Sequence, residues 1–212
     1  NGKKHMTSKT QTYMNEIDKF FTKDIEKFSK SYFNYLVQIF EKVDLLEIKS
    51  FVKILLEARD SGATIFFIGN GGSASTASHF ANDLAFGTND YEKPFRVMSI
   101  TDNVSIVTAL GNDYGYDEIF VRQLKIYGKK GDVLVGISAS GNSQNLINAF
   151  EYASSNEIKT VALTAFDGGK LRKIADKGVY IPTNKNEYGP AEDSHLILDH
   201  LISAYLMRLV KK

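Results

Sequence analysis

Two pairs, each of a histidine and a carboxylate residue, have types and spacing that suit proton transfer or metal binding. His79 and Asp83 lie four residues apart in a stretch with helical spacing, so they share one face of that helix. Glu192 and His200 lie eight residues apart near the C-terminus, on one face but separated by about 12 Å of helical rise. Imidazoles and carboxylates can exchange protons with a substrate or hold a divalent metal ion such as Zn²⁺.

The spacing of the second pair leaves two arrangements open. A single metal ion could be held by both Glu192 and His200 only at the limit of side-chain reach. Either Glu192 precedes the regular helix, or the two residues serve sites that are built from different subunits. The pair His79 and Asp83, taken alone, is also typical of a surface ion pair.

The two remaining histidines are assigned no chemistry. Residues 1–5 precede Met6 and are typical of a cloning remnant, so His5 is excluded as a metal ligand. His195 lies four residues before Asp199 on the same helical face, and we interpret that pair as a structural contact.

Two short apolar runs end in loops of small residues that suit an anion. Thr64–Ile68 leads into Gly69–Ser73, and Val133–Ile137 leads into Ser138–Ser143, each followed by helical spacing. Such junctions direct backbone N–H groups, hydroxyls and the positive end of a helix dipole at one point. Each loop alone could be an ordinary turn, but two loops at the same edge of one sheet indicate a sugar-phosphate ligand. Neither loop has a dinucleotide or Walker fingerprint, so no nucleotide cofactor is expected.

The elements that must position these residues alternate along the chain. Five short apolar runs predict strands: Thr64–Ile68, Phe95–Ile100, Val133–Ile137, Thr160–Leu163 and Gly178–Ile181. Helical runs separate them, which predicts an α/β fold with a parallel sheet covered on both faces. Residues 6–61 have only helical spacing and predict N-terminal helices that pack on the domain or in an oligomer. Residues 62–212 are expected to form one compact unit with them.

Local signals predict boundaries of three helices. Asp44 is typical of an N-cap residue. A helix over Asn103–Leu110 is expected to end at Gly111, and a long helix over Ala191–Val210 closes the chain.

The composition excludes several classes of protein. Lys+Arg 26 against Asp+Glu 25 gives a net charge of +1, so no overall field attracts nucleic acid or an anionic membrane. The absence of cysteine excludes disulfides, thiolate metal sites and cysteine nucleophiles. No apolar run approaches 18 residues, and we expect a cytoplasmic protein without a membrane or nucleic-acid partner.

Five segments together resemble the sedoheptulose-7-phosphate isomerase (phosphoheptose isomerase) family, which belongs to the sugar isomerase (SIS) domain group. They are Gly69–Ser73, His79–Ala81, Gly111–Asp113, Gly136–Ser143 and Leu163–Gly169. The resemblance extends from about residue 13 to the C-terminus. It implies a five-stranded parallel sheet in a flavodoxin-like three-layer sandwich, and a homotetramer with active sites between subunits. It also implies aldose–ketose isomerisation of sedoheptulose 7-phosphate, a step towards bacterial heptose, lipopolysaccharide and capsule precursors.

The resemblance assigns roles residue by residue. The positions that match the family's phosphate- and sugar-binding residues are Asn70, Gly71, Gly72, Ser73, Asp102, Ser138, Ala139, Ser140 and Ser143. Ala139 would contribute only its backbone. Asp83 or Glu192 is the expected base and His200 the expected general acid. Some family members hold zinc at the positions that His79, Asp83, Glu192 and His200 match.

The chain departs from the family at the sugar and metal end. Asp83 stands where the family usually has Glu, and Glu192 stands where it usually has Gln. An arginine expected near Gly87–Thr88 is absent. Three functions therefore stay open: this isomerase, an isomerase of another sugar phosphate, and a non-catalytic SIS-domain protein that senses sugar phosphates or associates with a replication initiator.

Overall fold

A computed structural model describes residues 15–211 as helices packed around one parallel sheet. The strands are β1 (Thr64–Gly69), β2 (Arg96–Ser99), β3 (Val133–Ser138), β4 (Lys159–Thr164) and β5 (Lys177–Tyr180). The helices are α1 (Glu16–Phe20), α2 (Ile25–Phe40), α3 (Leu45–Ser61), α4 (Gly72–Asn82), α5 (Val104–Tyr114), α6 (Ile119–Tyr127), α7 (Gln144–Ser155), α8 (Gly169–Ile174) and α9 (Tyr188–Leu209). The assignment of residues 1–5 and of His5 lies outside the described residues.

All neighbouring strands run parallel, in the order β2-β1-β3-β4-β5. The prediction of a five-stranded parallel sheet flanked by helices is confirmed. The strands β1, β3 and β4 are buried along nearly their whole length because both faces of the sheet are covered there. The chain leaves β1 in one direction and β3 in the other, so a topological switch point lies between their carboxyl ends. In open α/β sheets, ligands bind at such switch points.

Successive side chains of β1 point to opposite faces of the sheet. Phe67 joins a core formed mainly with α2, α3, α4 and α9, whereas Phe66 joins a second core with α6 and α7. The helices thus form one layer on each face of the sheet, which gives the expected three-layer sandwich.

The N-terminal helices are attached to α9 through buried polar contacts. Asp24 and Asp44 cap α2 and α3, which confirms the predicted N-cap at Asp44. The Tyr35 hydroxyl donates to the buried Glu187 carboxylate just before α9, and Glu187 also accepts from the backbone N–H of Glu16 at 2.5 Å. Burial, followed by the neighbouring Glu187, raises the pKa of Tyr35, so its hydroxyl stays protonated as the donor.

Two predicted helix boundaries were wrong. α5 continues through Gly111 to Tyr114 and ends at Gly115, whose φ is 90°. Glycine permits a helix end but does not require one, and here the left-handed conformation falls on the later glycine. α9 begins at Tyr188, three residues before the predicted start. Within residues 15–211, no helix combines the length and apolarity needed to cross a bilayer.

Candidate active site

The loops that follow β1 and β3 meet at the switch point and enclose a small polar cavity. The cavity has a volume of about 150 Å³. Its lining residues come from both loops and from the start of α9: Asn70, Ser73, Ile137, Ser138, Ala139, Ser140, Ser143, Tyr188 and Glu192. Gly71 has a φ of 54°, a left-handed backbone conformation that is strained for most residues other than glycine, and this lets the first loop turn. Gly72 follows as the first residue of α4.

Two helix N-termini border this cavity and leave backbone donors free. Neither N-cap residue, Gly71 or Ser143, caps its helix with a side chain, so the N–H groups that open α4 and α7 are not taken up by a cap. Further into the first turn of α7, the N–H of Leu146 donates to the Asn145 side chain at 3.0 Å. Among the described residues that line the cavity there is no lysine or arginine. An anion would therefore be held by neutral hydrogen bonds and helix dipoles, which suits a small phosphate.

The hydroxyls of the second loop also shape its backbone. The Ser138 hydroxyl accepts from the N–H of Gly141 at 3.1 Å, and the Ser140 hydroxyl accepts from the N–H of Asn142 at 3.3 Å. Gly141 has a φ of 63°, and a Cβ there would lie 2.0 Å from the carbonyl oxygen of Gly168. These contacts hold the loop in one conformation, so its donors are positioned before a ligand arrives.

An amide pair fixes the first loop against α7. The side chains of Asn70 and Asn145 donate to each other, both at 2.9 Å, and Asn145 is buried. The Tyr116 hydroxyl donates to Asn70 at 2.9 Å. Asn70 is thereby held at the edge of the cavity.

Asp102 lies beyond the end of β2 and does not line the cavity. Its carboxylate accepts hydrogen bonds from the hydroxyls of Ser78 on α4 and of Thr101, the latter at 3.1 Å. Asp102 is exposed at the same edge of the sheet as the two loops.

Glu192 lies within regular α9, four residues after its start, and its carboxylate borders the cavity. A Cβ at Gly72 would lie 2.3 Å from Oε2 of Glu192, so the missing side chain of Gly72 allows this contact. The possibility that Glu192 precedes the regular helix is therefore wrong. Glu192 and His200 are separated by about 12 Å of helical rise.

A second polar group lies two turns further along α4 and α9. Its members are His79, Asp83, Asp199 and His200, each with one nitrogen or oxygen within 4.8 Å of those of the others. The Nε2 atoms of His79 and His200 are 3.3 Å apart, and Nε2 of His79 is 3.7 Å from Oδ1 of Asp83. Asp83 begins a π-helical turn, Asp83–Gly87, a local widening that is frequent at functional sites. Glu192 is not a member of this group.

His195 and Asp199 are both fully buried, but they do not form the expected contact. Neither ring nitrogen of His195 has a hydrogen-bond partner of ordinary geometry among the described residues. Burial lowers the pKa of His195 to about 4, only partly opposed by the backbone of Thr164. Burial raises the pKa of Asp199 to about 7; the Asp83 charge adds to this, whereas Ser203 and His79 oppose it.

Comparison with known proteins places this chain in a family. Residues 31–165 match the SIS domain model. A phosphoheptose isomerase of Helicobacter pylori (strain ATCC 700392 / 26695) is 38% identical over 155 residues, which cover 73% of this chain and 80% of that relative. The chain belongs to the phosphoheptose isomerase family. The solved phosphoheptose isomerase of Neisseria gonorrhoeae has a TM-score of 0.76 and 30% identity, covering 86% of this chain and 98% of that one. For that of Francisella tularensis the TM-score is 0.77 and the identity 26%, with 92% and 100% covered.

In this member of the phosphoheptose isomerase family, the sequence predicted most of the residues that line the cavity but missed several residues around it. Tyr188, Asn145 and Tyr116 had no motif that distinguished them from packing residues. Asp199 did leave a signal. It lies on the buried face of α9 with Leu198 and Ile202, where a carboxylate without a charged partner is unexpected.

Proposed function

We propose that this protein isomerises sedoheptulose 7-phosphate to a heptose 7-phosphate through an enediol, towards bacterial lipopolysaccharide or capsule precursors. The observation that carries the proposal is the polar cavity at the β1–β3 switch point, in a chain whose relatives are phosphoheptose isomerases. We further propose that the protein acts in the cytoplasm.

The cavity would hold the phosphate of the sugar. Hydroxyl groups for the phosphate would come from Ser73, Ser138, Ser140 and Ser143. The backbone would approach the phosphate closely at Gly71, Gly72 and Ala139. The volume of about 150 Å³ suits a phosphate group rather than a whole nucleotide. Asp102, exposed at the same edge, would bind sugar hydroxyls.

Isomerisation moves a proton between two adjacent carbons, so it needs a base and an acid near the carbonyl end of the sugar. Asp83 or Glu192 would act as the base, and His200 as the general acid. Glu192 borders the cavity, so its carboxylate would lie next to a phosphate that is bound there.

The second polar group also fits a divalent metal ion such as Zn²⁺. The residues expected for this role were His79, Asp83, Glu192 and His200, and three of them lie in the group. When bound, the ion would polarise the sugar carbonyl. The short distance between the two imidazole nitrogens supports a shared cation or proton at this point.

We propose a homotetramer with active sites between subunits. Glu192 at the cavity and His200 are separated by about 12 Å of helical rise, so in a single copy they would reach one reacting carbon only at the limit of their side chains. In the assembly, the cavity and Glu192 of one copy would face His79, Asp83 and His200 of another. Exposed apolar side chains on α9, next to His200, support such a contact: Ile197, Leu201, Tyr205 and Leu209.

One assay tests the function and the acid together. Purified protein is given sedoheptulose 7-phosphate, with and without EDTA and added Zn²⁺, and the heptose product is measured. We expect His200→Ala to lower kcat by about 10²–10⁴-fold, the usual contribution of a general acid. Circular dichroism should be unchanged, because His200 is exposed.

The outcomes separate the open functions. Wild-type turnover in His200→Ala removes His200 from the mechanism. Binding of the sugar phosphate without turnover, with or without Zn²⁺, favours the non-catalytic binding protein. Turnover of a different sugar phosphate alone keeps the isomerase and changes its substrate.

A further inference from the structure

The deepest member of the group around His79 and His200 is Asp199, whose carboxylate is fully buried. Its Oδ1 accepts from the Ser203 hydroxyl at 3.0 Å, but its Oδ2 has no partner among the described residues. A buried charge without a partner is costly, and it is compensated either by protonation or by a cation such as a metal ion. One carboxylate oxygen of Asp199 lies within 4.8 Å of two imidazole nitrogens and of an oxygen of a second carboxylate, and these are common metal donors.

The distances in the group approach those of a coordinated ion. Metal–nitrogen and metal–oxygen bonds of about 2.0–2.2 Å in a tetrahedron place neighbouring donors about 3.3–3.6 Å apart. His79 and His200 are at 3.3 Å, and His79 and Asp83 are at 3.7 Å. Two neutral imidazole nitrogens with facing lone pairs repel each other unless a proton or cation lies between them. Every pair of donors in the group lies within 4.8 Å, so no pair exceeds the tetrahedral spacing by more than about 1.5 Å.

We propose that Asp199 is a metal donor of this protein, completing with His79, Asp83 and His200 a two-histidine, two-carboxylate site within one chain. The two carboxylates balance the charge of a divalent ion, and the donor types suit Zn²⁺ or a neighbouring transition metal. The inference rests on the proposed function only for the effect of the ion on a substrate. Binding of the ion to the protein does not require the sugar.

Helix geometry favours Asp199 over Glu192 as the second carboxylate. Asp199 is adjacent to His200, whereas Glu192 lies seven residues earlier, about 10 Å along α9, against Gly72. Glu192 is not a member of the group, and within one chain it could reach the ion only at the limit of its side chain. The two sources of a carboxylate are thus distinguishable by mutation.

The test is a Zn²⁺ titration of the full chain against a chromophoric chelator, in the absence of substrate. Wild type, Asp199→Asn and the matched variant Glu192→Gln are compared; both substitutions replace a carboxylate by an amide of equal size. We expect one Zn²⁺ per wild-type chain, a loss in affinity of at least 10- to 100-fold in Asp199→Asn, and no change in Glu192→Gln. Wild-type affinity in Asp199→Asn overturns the proposal, as does a loss in Glu192→Gln that equals or exceeds it, or no binding by wild type.

A second measurement avoids mutation altogether, in case Asp199→Asn fails to fold. Crystals of wild-type protein grown with Zn²⁺ should give an anomalous peak about 2.0–2.2 Å from a carboxylate oxygen of Asp199. An ion bound to the histidines without Asp199 overturns the proposal. Zn²⁺ on Asp199 without turnover of sedoheptulose 7-phosphate would count against the isomerase alone, and turnover in a protein that binds no Zn²⁺ would count against this site alone.

Discussion

At the scale of single residues, α9 contains an unusual buried histidine. His195 is fully buried in the described chain, and neither of its ring nitrogens has a partner there. Its pKa of about 4 means that the folded protein holds the ring neutral over a pH range in which the unfolded chain is protonated. Folding is therefore linked to proton release below neutral pH.

This linkage predicts that His195 contributes an acid-sensitive part of the stability, whereas the raised pKa of Asp199 acts in the opposite direction over the same pH range. A depressed folded pKa contributes stability that is complete above the unfolded value of 6.5 and is lost as the pH falls towards 4. The loss is at most about 3 kcal/mol, from 1.36 kcal/mol per pKa unit. Denaturant unfolding at pH 7 and pH 4.5 measures it. His195→Leu should unfold with a smaller difference between the two pH values, and an unchanged difference would rule out His195 as the cause.

At the scale of elements, the site depends on α4 and α9 lying side by side in the same direction. Gly72 at the start of α4 contacts Glu192, and His79 near its end contacts His200. The first contact borders the cavity, and the second belongs to the proposed metal site. The spacing between the two helices thus affects both groups.

Gly72→Ala tests this contact. The new Cβ would lie 2.3 Å from the Glu192 carboxylate, so that flexible side chain has to move while the backbone stays in place. We expect an unchanged or slightly higher Tm and a fall of about 10- to 100-fold in kcat/KM for the sugar phosphate, typical of a misplacement of about 1 Å. Gly111→Ala, with no atom within 4 Å of its new Cβ, is the stability control. Full activity in Gly72→Ala would mean that the position of Glu192 is unimportant.

At the scale of the whole molecule, exposed apolar side chains are concentrated on α9. Ile197, Leu201, Tyr205 and Leu209 follow one another at intervals of four residues and are each more than a third exposed. Such a stripe on a helix is typical of a protein–protein contact. Because it runs beside His200, covering it would also bring a second copy to the candidate site.

Leu201→Glu is expected to break this contact. A charge in an apolar interface is desolvated without a partner, so the oligomer should dissociate, as measured by light scattering after size exclusion. Isomerase activity should fall with it if the sites lie between subunits. Ile126→Glu, at a 73% exposed side chain on the opposite helical layer, is the matched control. An unchanged mass for Leu201→Glu would contradict the proposed interface.

The sequence by itself determined the parallel sheet and the loops that form the cavity. These features are local, because each apolar strand is followed within a few residues by the glycines and serines of its loop. A parallel sheet brings the carboxyl ends of its strands to one edge, so Gly69–Ser73 and Ser138–Ser143 could be placed together without coordinates.

Only the tertiary structure decided which carboxylate accompanies the histidines. Spacing by four or eight residues tells which side chains share a helical face, but not which neighbour that face contacts. The packing of α9 against α4 directs Asp199 towards His79 and Glu192 towards Gly72. That choice depends on the rotation and height of one helix relative to another 116 residues away in the chain, which is set by the whole core and not by any local motif.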